Sequence, residues 1–218
     1  MGIDMKKISV QLLHSAITDE QLKTEILSLR EFGIKKVVVL PCHVARVKQL
    51  LMGTDIQIGS VVDYPLGSGT MAKQAFETGE LYRTGANEVN ITANLENFSI
   101  TKQTYQMLAP LSFGKGDLGF FVDVERMSEE ENGKLALQLG RANTRVVCLG
   151  TRLSVEKAIY YLTMYKMNKD RQVLFQVNVT DPTLLELEML FQNGANVVGI
   201  NNHKEILPLI NQWMEETN

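Results

Sequence analysis

The chain has little of what several specialised architectures require. Its 218 residues contain two cysteines, Cys42 and Cys148, and no Cys-x-x-Cys pair. That excludes a disulfide scaffold and a cysteine-built zinc site, and it suits a cytoplasmic protein with both thiols reduced. Only five prolines are present, and no Pro- or Gly-rich stretch forms a linker. Residues 1–218 therefore read as one domain. No apolar run approaches the roughly 20 residues that cross a bilayer. No apolar core follows the charges of Met1–Lys7, so a signal peptide is not expected either. The formal net charge is −3, with basic residues scattered rather than blocked; a nucleic-acid binder usually shows a basic face. The methionines have no copper- or haem-like spacing, and no cofactor is expected.

What is present is alternation. The phrase Gly-Ala-Asn occurs at Gly85-Ala86-Asn87 and again at Gly194-Ala195-Asn196. Each copy closes a helical pattern and opens a strand: Gly suits the left-handed helix cap, and Ala lets the next strand pack close. Eight strand-helix pairs can be counted, the number that closes an α/β barrel of (β/α)8, or TIM, type. The strands are expected near Ile8–Leu13, Lys36–Leu40, Ile56–Val62, Glu88–Thr92, Leu118–Val124, Arg145–Leu149, Val173–Asn178 and Val197–Ile200. Thr18 with Gln21 and Ser128 with Glu131 read as capping boxes. Asp181 and Pro182 read as N-cap and first residue of the seventh helix.

Period-two splitting separates the barrel from an open doubly wound sheet. In strand seven Val173, Phe175 and Val177 share one face, and Gln172, Leu174, Gln176 and Asn178 the other. In strand four Val89 and Ile91 oppose Glu88, Asn90 and Thr92. An apolar face suits a helix layer; a polar face pointing inward suits a ligand site at the C-terminal strand ends. Asn90, Gln176 and Asn178 are the ligand-binding candidates.

The run Pro65-Leu66-Gly67-Ser68-Gly69-Thr70, taken with Val38-Val39-Leu40-Pro41-Cys42-His43-Val44 and Gly85-Ala86-Asn87-Glu88-Val89-Asn90, resembles the deoxyribose-phosphate aldolases. The resemblance runs in order through nearly the whole chain and is strongest over 33–90 and 194–202. It implies a (β/α)8 barrel, reversible cleavage of 2-deoxyribose 5-phosphate to acetaldehyde and glyceraldehyde 3-phosphate, a lysine Schiff base and no metal. At the family's catalytic positions this sequence departs. Val147 falls at the Schiff-base lysine, Gln176 at a second lysine on strand seven, and Asn90 at the strand-four aspartate. A Schiff base needs a primary amine, an amide cannot depress a neighbour's pKa by charge, and Asn cannot cycle a proton as Asp does. The resemblance leaves a phosphate cradle to Gly150, Thr151, Arg152, Asn201 and Asn202, with backbone N–H groups at a helix start and an Arg fork as donors.

Other constellations compete. Lys204, just past strand eight, is the replacement amine favoured by topology. Asp123 and Glu125 end strand five two residues apart and could pair as acid and base. His14, His43, Asp63 and His203 all fall near C-terminal strand ends, a conceivable metal cluster against the plainer expectation of none. The reading is an aldolase-like barrel that has lost its Schiff-base residues and binds a small phosphorylated sugar or carbonyl compound, possible homo-oligomer included. The alternatives are an active lyase or isomerase using a relocated Lys204 or the Asp123/Glu125/His group, and a non-catalytic subunit of a homo- or hetero-oligomer.

Overall fold

The computed structural model describes residues 3–93, 98–141, 144–168 and 173–217; Gln172 of the strand-seven pattern lies outside the described residues. Eight parallel strands close in sequence order into a barrel, β1 pairing with both β2 and β8. They are β1 (Ile8–Leu12), β2 (Lys36–Val39), β3 (Gln57–Val62), β4 (Glu88–Thr92), β5 (Asp117–Val122), β6 (Val146–Leu153), β7 (Leu174–Val179) and β8 (Val197–Ile200). Helices follow each strand: α1 (Asp19–Ser28), α2 (Val44–Leu50), α3 (Met71–Thr84), α4 (Phe98–Ser112), α5 (Glu129–Arg141), α6 (Val155–Met167), α7 (Leu184–Gln192) and α8 (His203–Thr217).

The two Gly-Ala-Asn copies perform the same task. Gly85 and Gly194 take positive φ of 121° and 98° at the ends of α3 and α7. Each asparagine then clamps one residue of the preceding strand. The Asn87 N–H donates to the Ile58 carbonyl at 2.7 Å, and its Oδ1 accepts from the Ile58 N–H at 2.9 Å. Asn196 makes the same pair with Phe175, at 2.8 Å in both bonds. A side chain thus stands in for the backbone of a neighbouring strand and sets the register in which β4 and β8 begin.

Thr18 with Gln21 forms the expected capping box, and Ser128 and Glu131 bond reciprocally at the start of α5. The seventh helix corrects the Asp181–Pro182 expectation. Its N-cap is Thr183, whose hydroxyl accepts from the Glu186 N–H while Glu186 answers the Thr183 N–H. Asp181 lies outside the helix at φ 41°, and Pro182 only precedes the cap. The local hydroxyl–carboxylate pair satisfies two orphan amides, which the proline cannot do. The sixth strand is also longer than expected. It shifts register after Leu149, passes Gly150 at φ 69° and resumes to Leu153. Gly150, Thr151 and Arg152 therefore form a bulged strand end, and the helix begins beyond them, capped by Ser154.

Candidate active site at the barrel mouth

The registers decide which side chains enter the lumen, because residues paired across parallel strands face the same way. Glu88, Asn90 and Thr92 on β4 and Gln176 and Asn178 on β7 are all buried. Gln176 is opposite Cys148, and Val146 is opposite Leu174; Val146, Cys148 and Phe121 form their own small cluster, with Tyr64 packed on it. The outward set is separate. Val147 and Phe175 pack with Ala136 and Leu139 of α5 and Tyr165 of α6. Val147 consequently cannot stand where an amine would serve the lumen. The inward residue on that strand is Cys148, and the one-residue difference moves the side chain through the sheet.

The lumen holds one amine that the sequence reading missed. Lys36, the first residue of β2, is buried and reaches Glu88 with Nζ at 3.0 and 2.8 Å from its two oxygens. Its signal was a lysine beginning a Val-Val-Val run, easily taken as an exposed strand start. Asn90 Nδ2 donates to the same carboxylate at 2.8 Å. On the far side Gln176 Nε2 donates to Asn178 Oδ1, and Asn178 Nδ2 to the Gly150 carbonyl, both at 2.7 Å. Three buried oxygens here have no partner among the described residues: Asn90 Oδ1, Thr92 Oγ1 and Gln176 Oε1. Each such group left unpaired costs about 1–3 kcal/mol. Burial pushes the Cys148 thiol up, and the Glu88 charge adds to it, so no thiolate forms there at neutral pH.

Above the lumen a cleft of about 410 Å³ opens between the ends of β6, β7, β8 and β1. Gln11 and Asn178 line its floor, and Tyr64 one side; Thr151 and Arg152 come from the β6 bulge, Asn201 and Asn202 from the turn into α8. Tyr64 shows one part to the cleft and packs edge-on against Phe121, centroids 5.2 Å apart. Asn201 Nδ2 donates to the Thr151 carbonyl at 3.3 Å, tying the two loops. Among the described residues no carboxylate pairs with Arg152. The remaining wall is Glu25, His203 and Lys204 with His14. Lys204 Nζ lies 2.6 Å from Glu25 Oε1 and His203 Nε2 3.0 Å from Glu25 Oε2, although neither imidazole nitrogen has a well-aligned partner. Burial pushes the His203 imidazole below its ordinary value, outweighing the Glu25 carboxylate that raises it.

The other candidates disperse. His14 and His203 line the cleft, but Asp63 turns to its own loop. It accepts from the Gly69 N–H, Gln74 Nε2 and Lys73 Nζ. Burial alone would raise its carboxyl; these three donors together hold it below the usual range. His43 sits on the short turn before α2, outside the cleft. No group of three or more possible ligands that could hold a metal forms among the described residues, so the His14, His43, Asp63, His203 cluster does not assemble. Glu125 is drawn outward to Lys157 at 2.6 Å. Asp123 remains half-buried with its carboxyl raised by burial, so the two carboxylates sit in different surroundings.

No protein-family model matches the chain. Among curated proteins it is 36% identical over 100 residues to the deoxyribose-phosphate aldolase of Macrococcus caseolyticus, covering 44% of each chain. It is 27% identical over 134 residues to that of Clostridium tetani, covering 59% of this chain and 62% of the relative. The matched stretch thus spans less than two thirds of these relatives. Among solved structures, the tetrameric deoxyribose phosphate aldolase of Aeropyrum pernix superposes with a TM-score of 0.82 at 14% identity, over 96% of this chain and 91% of that one. The N-acetylmannosamine-6-phosphate 2-epimerase of Clostridium perfringens shares the fold with a TM-score of 0.65 at 11% identity. No helix among the described residues is long and apolar enough to cross a membrane.

Proposed function

We propose that this chain, which belongs to the deoxyribose-phosphate aldolase family, holds a small phosphorylated sugar at the barrel mouth and does not cleave it through a protein Schiff base. The observation that carries the reading is the pair of inward residues at mid-barrel on β6 and β7, Cys148 and Gln176. Neither is an amine. Lys36 in the lumen and Lys204 at the cleft are both ion-paired, with Glu88 and Glu25. An amine held by a carboxylate must leave that partner before it can attack a carbonyl. Asn90 supplies no proton.

The mouth supports anion binding. Arg152 has no carboxylate partner among the described residues, and the first turn of α8 brings backbone N–H groups beside Asn201 and Asn202. Removing the guanidinium in Arg152→Ala should cost about 1.5–3 kcal/mol of sugar-phosphate binding, read by calorimetry. Equal affinity of both proteins would take Arg152 out of the site. The catalytic half is tested by borohydride trapping with acetaldehyde. The intact mass should stay unchanged, and a stoichiometric adduct on Lys204 or Lys36 would sink the proposal.

A further inference from the structure

The lumen under the cleft has a polarity that names its ligand. Both amide orientations are fixed from outside. Asn178 can only donate to the Gly150 carbonyl, since turning it would set two carbonyl oxygens face to face; its Oδ1 then accepts from Gln176. Asn90 likewise can only donate to the Glu88 carboxylate. What remains is Gln176 Oε1 and Asn90 Oδ1, both acceptors, with the Thr92 hydroxyl able to play either part. Gln176 and Asn90 are 2% and 1% exposed. Lys36 and Glu88 neutralise each other, so the lumen asks for no charge.

We propose that the lumen is a subsite for the hydroxyl-bearing end of a polyol phosphate, selecting hydrogen-bond donors over a carbonyl oxygen. This rests on the reading of the mouth as a phosphate site. A carbonyl oxygen brings only an acceptor to a place that already has two unpaired ones. A hydroxyl brings the donor they lack, and its own oxygen can accept from Thr92. Asn178 lines the cleft and accepts from Gln176, so it joins cleft to lumen.

The test is calorimetry with ribitol 5-phosphate, ribulose 5-phosphate, inorganic phosphate and free ribitol. The first two have equal length and differ by a hydroxyl against a carbonyl. Ribitol 5-phosphate should bind about tenfold or more tightly than ribulose 5-phosphate, which offers the buried acceptors a carbonyl oxygen at C2 in place of a donor. Gln176→Met should abolish the preference and leave inorganic phosphate unaffected. If that variant does not fold, the near-isosteric Thr92→Val should weaken ribitol 5-phosphate alone. Equal or tighter binding of ribulose 5-phosphate, or a preference that survives the variant, overturns the proposal. Should phosphate and its esters all fail to bind, free ribitol decides: binding would keep the lumen site and remove the phosphate mouth, and no heat would end both.

Discussion

The orientation of single residues on β6 separates what this barrel is from what it does. Val147 faces α5 and α6, whereas Cys148 faces Gln176. Val147→Lys should therefore cost several kcal/mol, the penalty of an unpaired cation in an apolar layer. Cys148→Lys should cost less, because its ammonium meets Glu88 and the free amide carbonyls. Urea midpoints of the two variants check the order. A thiol reagent gives a simpler readout: exposed Cys42 should react quickly and buried Cys148 only on unfolding. Lys36 belongs to the same scale. Lys36→Met leaves Glu88 buried and uncompensated, an expected loss of about 3–5 kcal/mol; replacing both partners by apolar residues should recover most of it.

Among the elements, caps decide the helix starts. Thr183→Ala removes the bond that answers the Glu186 amide, and should lower stability by about 1 kcal/mol, seen as a lower Tm. Asp181→Ala, outside the helix, should not remove a cap. The strand count and the inward polar faces of β4 and β7 were legible because period-two patterning is a property of the sequence itself. The Gly-Ala-Asn junctions were legible for the same reason. The bulge at Gly150 was not, since a register shift between Leu149 and Leu153 leaves no periodic trace. It also turned the expected helix-start phosphate loop into a strand end. Which β6 residue faces the lumen depends on cross-strand register, and local pattern could not decide between Val147 and Cys148.

Across the whole molecule, closure joins the last element to the first. The β8–β1 ladder is backed on the outside by Glu25 of α1 against His203 and Lys204 of α8. His203 has a folded value below its ordinary 6.5, so the fold prefers the neutral imidazole. Its contribution is complete above pH 6.5 and is lost as pH falls through the lower folded value. Urea midpoints taken downward from pH 7.5 should fall in the wild type, and His203→Gln should flatten that decline; parallel curves would assign the pH dependence elsewhere. The groups around the mouth come from β1, α1, the turn after β3, β6, β7, the turn after β8 and α8, which is why sequence proximity revealed so few of the pairings. One pairing also sets a mutational distance. Lys36 is ion-paired with a single carboxylate, that of Glu88. Glu88→Gln, one nucleotide away, would leave a buried amine without a counter-charge, and burial then favours its neutral form. In that variant acetaldehyde and borohydride should mark Lys36, where the wild type stays unmarked. A single ion pair thus stands between this lumen and a free amine.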